Sequence, residues 1–295
     1  MRSFIFDTDW GEDCDDAVAA RILLRSAKRG EINLLGMGIN TLTEYAAPSL
    51  YAFCQKEGYL VPIGIDKNCP KTDWQNRYQP RLALDTNKTT NDFKNAVTLY
   101  RELLVASSGK VEIIAVGFLQ IIEQLLKSEP DEISSLSGYE LVKSKVERLW
   151  VMGGKWDGQG EKEFNFSYQP FACTASSYVL DNCPCEIIML GWEVGSGLIT
   201  GQHLDKEDFL YKALKDWGCY NESTSGRESW DPMTVVLALT NDIEKAGYTA
   251  VRGTGRVDSQ TGQNYFEESE NGKHMYVVKA QPDSYYESIM NDLIK

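Results

Sequence analysis

The sequence predicts an α/β fold, with an open, mostly parallel sheet flanked by helices. Two observations carry this reading. Short apolar runs alternate with amphipathic stretches of helical length from Ser3 to Leu190, a pattern that places parallel strands under covering helices. No repeat, low-complexity tract or linker-like shift in composition interrupts the alternation, so residues 1–295 read as one domain.

Ser3-Phe4-Ile5-Phe6 is the first strand. Asp15 to Lys28 follows as a helix, with Ala17, Ala20, Leu23 and Leu24 at helical spacing and a stop at Arg29-Gly30. Ile32 to Ile39 is a second strand, Glu44 to Lys56 a helix, and Pro62-Ile63-Gly64-Ile65 a third strand. A polar loop from Lys67 to Asn91 precedes a helix over Asp92–Ser107, a strand at Val111–Val116, Gly117, and a helix to Lys127. Further on come a strand at Leu149–Met152, a helix near Phe171–Leu180 and a strand at Glu186–Leu190. Helices are expected around Lys206–Asp216 and Pro232–Leu239. Thr249 to Lys279 mixes Gly and Thr with short β-like pieces and reads as a hairpin, and residues 284–294 read as a closing helix.

Composition narrows the partners. Asp plus Glu number 43 against 30 Lys plus Arg, a net charge of −13, which argues against a nucleic-acid partner because phosphate binding needs Lys and Arg. No apolar run approaches the ~20 residues needed to span a bilayer. Ser3-Phe4-Ile5-Phe6 runs straight into acids rather than forming a signal peptide, so a cytoplasmic location is expected. Seven cysteines without regular spacing, including Cys183-Pro184-Cys185, read as reduced and mostly buried thiols.

In open parallel sheets, ligands bind at the carboxyl ends of the strands. There, after the first strand, Asp7, Asp9, Glu12, Asp13, Asp15 and Asp16 crowd a single turn. Such crowding is costly unless a positive charge sits among the acids. Carboxylates suit a hard cation, Ca²⁺ or Mg²⁺, and the lack of nearby His argues against zinc or copper. An EF-hand loop starting at Asp7 fails, because its sixth and twelfth places hold Glu12 and Val18. A haloacid-dehalogenase-like phosphatase also begins with a strand and an Asp-x-Asp pair. That alternative lacks its later lysine and acidic pair here.

Asp7-Thr8-Asp9-Trp10-Gly11 through Asp15-Asp16-Ala17 resembles the Asp-x-Asp-Pro-Gly-x-Asp-Asp-Ala signature of the inosine–uridine-preferring nucleoside hydrolases. Trp10 replaces the usual Pro, and two extra residues precede Asp15, as in a divergent branch reading Asp-Thr-Asp-x-Gly-x-Asp-x-Asp-Asp. Four further stretches follow in the family's order. They are Gly36 to Asn40, Val116-Gly117-Phe118-Leu119-Gln120, Val151-Met152-Gly153-Gly154 with Glu163-Phe164-Asn165, and Ser229-Trp230-Asp231-Pro232.

The resemblance implies hydrolysis of the N-glycosidic bond of a nucleoside, with Ca²⁺ as cofactor and a homodimer or homotetramer as assembly. It implies Asp9, Asp16, the Gln120 carbonyl and Asp231 as metal ligands, with Asp9 also the general base. Asp15, Glu163, Asn165, Met152 and Asn40 would hold the sugar, and Asp7 would orient the others. Family members often carry an Asn before the Glu-Phe-Asn, where this chain has Asp157 and Gln159 in a shorter loop. Many also place a His before the late Asp as the leaving-group acid. This chain has Trp230 there, and its only histidines, His203 and His274, lie outside every motif. Trp230 resembles the purine-specific branch, where stacking makes the base easier to protonate. Trp74, or else Trp10, would offer the second stacking face. A non-catalytic riboside binder on the same scaffold is the main alternative to an enzyme.

Overall fold

The computed structural model describes residues 1–70 and 75–295 of the chain. The chain opens with β1 (Ser3–Thr8), α1 (Asp15–Lys28), β2 (Asn33–Ile39), α2 (Ala46–Glu57) and β3 (Ile63–Ile65), the alternation expected from the apolar pattern. α3 (Gln79–Ala83), β4 (Lys94–Asn95), α4 (Ala96–Ala106), β5 (Val111–Ala115), α5 (Gln120–Lys127) and α6 (Gly138–Lys145) follow. Next come β6 (Val146–Met152), β7 (Glu161–Lys162), α7 (Phe164–Ser167), α8 (Pro170–Asn182) and β8 (Glu186–Leu190). The last third holds α9 (Trp192–Gly195), β9 (Ile199–Thr200), α10 (Phe209–Trp217), β10 (Arg227–Glu228) and α11 (Trp230–Thr240). It closes with β11 (Tyr248–Val257), β12 (Gln263–Glu268), β13 (His274–Lys279) and α12 (Asp283–Leu293).

Eleven strands form one sheet in the order β4-β3-β2-β1-β5-β6-β8-β13-β11-β12-β7, parallel from β4 to β13 and antiparallel beyond. The strand period of two assigns neighbouring side chains to opposite faces. Phe4 and Phe6 accordingly join one buried cluster and Ile5 the other. Both faces of β1 are covered, which is why the run is apolar throughout rather than alternating.

The expected C-terminal hairpin is present as antiparallel β11–β12. A third strand extends it: β13 pairs antiparallel with β11 and lies parallel against β8 through His274–Ile187, Met275–Ile188 and Tyr276–Met189, so the tail completes the main sheet. Helix α6 was not expected, because only Gly138, Leu141 and Val142 of its eight residues are buried. Its start is fixed by a capping box in which Ser137 and Glu140 exchange side-chain and backbone hydrogen bonds. All seven cysteines are free and six are buried. Among the described residues, no helix is long and apolar enough to cross a membrane.

This topology gathers the loops that matter. β2, β1, β5, β6 and β8 are adjacent and parallel, so Asn40, Asp9, Val116, Gly153 and Trp192 leave the sheet along one edge. Helix α11 packs beside α1, bringing its N-terminus to the same edge.

Candidate active site

Asp9 follows β1, Asp16 stands in the first turn of α1, and Asp231 stands in the first turn of α11. One carboxylate oxygen from each lies within 4.8 Å of the other two, and all three residues are buried. Asp16 accepts a hydrogen bond on Oδ1 from the Thr8 hydroxyl, while its Oδ2 is buried without a partner. Asp15 ties the two helices together, accepting on Oδ2 from the backbone N–H of Trp230 (3.0 Å) and Asp231 (3.1 Å). Burial raises the carboxyl pKa of Asp9, Asp15, Asp16 and Asp231 well above the ordinary range, and the neighbouring acids push it further. An orphan buried oxygen inside a ring of mutually repelling carboxylates is what a hard divalent cation satisfies, so the donor set fits one. The approach of β5 to this turn depends on Gly117, where a Cβ would stand 2.5 Å from the Asp9 amide nitrogen.

Beside the cluster opens a pocket of about 330 Å³. Met152, Glu163 and Asn165, which the resemblance assigns to the sugar, line it. Glu163 caps α7, its carboxylate accepting from the N–H of Gly154 (2.9 Å), Asn165 (2.8 Å) and Phe166 (3.3 Å). Burial is the main cause that moves its pKa up to about 7, against the lowering effect of those bonds. Asn165 donates from Nδ2 to the carbonyls of Val116 (2.9 Å) and Met152 (3.2 Å), which fixes its orientation.

The pocket also has an aromatic lining. Trp230 is half-buried in it, donating from Nε1 to the Trp192 carbonyl at 2.7 Å. Trp192, Trp217 and Phe164 line it as well, Trp192 and Phe164 each 42% exposed. Arg227 from β10 also reaches the pocket, paired with Asp13. The sequence reading missed Trp192, Trp217 and Arg227. Trp192 had a signal, since it follows the carboxyl end of β8; Trp217 and Arg227 had none.

Other expected residues lie elsewhere. Asn40 is fully buried behind the pocket, donating from Nδ2 to Asp7 (2.6 Å) and to the Phe118 carbonyl (2.9 Å), and is not among the lining residues. Asp7 is closed off by that bond and by the Tyr100 hydroxyl at 2.6 Å. Gln120 begins α5 and spends its side-chain amide on the Asn40 carbonyl at 2.5 Å. Trp10 is not a stacking face: it is 1% exposed, packed edge-on against Phe53 and Tyr78, with Nε1 bonded to Ser49. Asp157 pairs with Lys155, and Gln159 bonds the backbone of Phe266. His203 is exposed, and His274 is buried in β13 with Nδ1 accepting from Gly255. Trp74 lies outside the described residues.

Fold and site together set three buried aspartates at the carboxyl edge of an open, mostly parallel sheet. The family model of the inosine-uridine preferring nucleoside hydrolases matches residues 4–286, and the chain belongs to that family. No curated protein matches. Among solved structures, an inosine-uridine preferring nucleoside hydrolase from Bacillus anthracis is similar over 100% of this chain and 99% of its own, at 16% identity and a TM-score of 0.68. A purine-preferring ribonucleoside hydrolase from Gardnerella vaginalis shares 18% identity over 99% of this chain and 98% of its own, with a TM-score of 0.71. The type III effector protein XopQ, in complex with adenosine diphosphate ribose, shares 14% identity over 100% and 93%, with a TM-score of 0.70. These similarities show the fold. Family membership displaces the phosphatase alternative, whose nucleophile Asp7 is also sealed from the pocket by Tyr100 and Asn40.

Proposed function

We propose that this protein is a Ca²⁺-dependent nucleoside N-ribohydrolase that releases the free base and ribose, with purine nucleosides preferred. The observation that carries it is the buried Asp9–Asp16–Asp231 triad with its unpartnered Asp16 oxygen, opening onto a pocket large enough for a riboside. Asp9, Asp16 and Asp231 would hold the cation. When bound, it supplies the positive charge that lowers the pKa of an attacking water. Asp9 takes that water's proton as the water approaches the anomeric carbon. Glu163, Asn165, Asp15 and Met152 grip the sugar, and such remote contacts supply binding energy for the reacting bond. Positive charge develops on the ribose in the transition state, and the surrounding carboxylates favour it. Trp230 and its aromatic neighbours offer the breadth that a bicyclic base covers.

A screen of common nucleosides for base release, with Ca²⁺ and with chelator, tests this reading. Ca²⁺-dependent release of base from purine nucleosides is the expected result. Riboside binding without release across the panel would leave a binder on the same scaffold instead.

A further inference from the structure

Among the described residues lining the pocket, Arg227 is the only basic one and none is a histidine. Its Nε donates to Asp13 Oδ1 at 2.8 Å and its Nη2 to Asp13 Oδ2. Its guanidinium carbon sits 4.5 Å from the Trp217 ring centre and 5.1 Å from that of Trp230, so the group packs against two indoles. Among the described residues Nη1 makes no hydrogen bond, and its nearest carboxylate, Glu228, is 3.6 Å away. A fork held on one edge by a carboxylate and packed against two rings is pre-organised, with a donor left over.

The location bears on how the base leaves. Breaking the bond between the anomeric carbon and the base nitrogen sends the electron pair to the base. That pair can be met by a proton or by a fixed positive group. A base protonated while stacked on Trp230 would place a second cation beside the guanidinium already there, whereas an anionic base would be attracted to it. Arginine stays charged and cannot itself give up the proton.

Resting on the nucleoside-hydrolase reading above, we infer that Arg227 is the leaving-group and specificity-determining residue of this site. It donates N–H to a carbonyl oxygen of the base and stabilises the base as it departs as an anion. Oxygen from water bonds to the anomeric carbon, the water's proton goes to Asp9, and the base anion takes a proton from solvent after release. An oxopurine spreads the new charge onto its carbonyl oxygen, where the guanidinium can bind it. An aminopurine presents an N–H donor at that position and leaves the Arg227 donor unmatched, the mismatch that a polar site discriminates most strongly.

The test compares inosine, adenosine and p-nitrophenyl riboside on the full chain and its Arg227→Gln variant, with Ca²⁺ present. The expected loss in kcat/KM is about 30-fold for inosine, the scale of a lost hydrogen bond from a charged donor, and about threefold for the other two. Guanidinium ion added in solution is expected to restore part of the inosine rate alone. Arg227→Lys, which keeps the charge on Asp13 and guards against a folding defect, should show a smaller loss confined to inosine. Equal losses on all three substrates, or none, would overturn the assignment while leaving the hydrolase reading intact. If the wild type turns over no nucleoside, the hydrolase reading fails and Kd values by tryptophan fluorescence decide the residue's role. Arg227→Gln must then shrink the preference for inosine over adenosine about tenfold, by the same lost bond. An unchanged ratio, or no riboside binding by the wild type, would overturn the inference.

Discussion

Stripping the cation from the Asp9–Asp16–Asp231 cluster is expected to destabilise the protein most at alkaline pH. Carboxylate oxygens from the three lie within 4.8 Å of one another. Two unit charges at that separation repel by ~3.5 kcal/mol at an effective dielectric constant of about 20, and the cluster contains three such pairs. Without a cation the folded protein therefore holds protons there that the unfolded chain releases. When a carboxyl's pKa is higher folded than unfolded, stability is full below the unfolded value and falls as pH rises towards the folded one. For Asp7 and Glu163 that window runs from 3.8 and 4.5 respectively up to about 7. Asp9, Asp16 and Asp231 shift in the same direction. A bound divalent ion reverses the penalty for these last three only. Ca²⁺ at 100 times its Kd adds about 2.7 kcal/mol. At roughly 2–4 °C per kcal/mol for a chain of this class, Tm should rise by about 5–10 °C. Differential scanning calorimetry with excess Ca²⁺ or EDTA at pH 5 and pH 8 reads this directly. The reasoning is refuted if Ca²⁺ leaves Tm unchanged at pH 8, or shifts it more at pH 5.

Two further outcomes follow from single side chains. Asp9→Asn removes the proposed base and a cation ligand together, so kcat should fall by about 10³-fold while circular dichroism stays unchanged; retained turnover would take the base role from Asp9. Glu57→Gln leaves the buried Arg21 guanidinium with Asp208 as its remaining acid, where Glu57 now bonds it at 2.5 Å. A urea titration should show a loss of about 3 kcal/mol, the low end for breaking a buried pair, and a loss under about 1 kcal/mol would mean that Asp208 alone satisfies Arg21.

The parallel half of the sheet was legible because its strands are apolar on both faces, as the burial of Phe4, Ile5 and Phe6 shows. The tail's hairpin was legible but its attachment to the sheet was not, since β11 carries Arg252 and Arg256 among exposed positions, a composition that suits a solvated ribbon equally well. Only the pairing of β13 with β8 decides the matter, and nothing local in either strand specifies it. Within the site, the acids of the first turn were legible because they crowd one short stretch, and Asp231 because Ser229-Trp230-Asp231-Pro232 resembles the family's late aspartate. Arg227 and Trp217 were not. Their positions depend on a chain reversal that sets Arg227 against Asp13 across 214 residues of sequence, and on the Trp217 indole bonding the Glu12 carbonyl at 3.2 Å.

The crowding of acids that drew attention in the sequence resolves into a division of labour. Asp7 is held by Tyr100 and Asn40, and anchors the base of the turn. Asp13 grips Arg227 and so carries the aromatic lining. Asp15 caps α11 through two backbone amides and fixes where Asp231 stands. Once those carboxylates have partners, Asp9 and Asp16 are left facing Asp231, and the Asp16 Oδ2 is left with nothing. The turn therefore does more than collect charge for one ion. Through Asp13 it also ties the Asp9–Asp16–Asp231 cluster to the Arg227 end, where we infer that the departing base is held. Movement of the turn would disturb both ends together, and its glycine, Gly11, sits at φ +107° where an added Cβ would run into the Gln79 side chain.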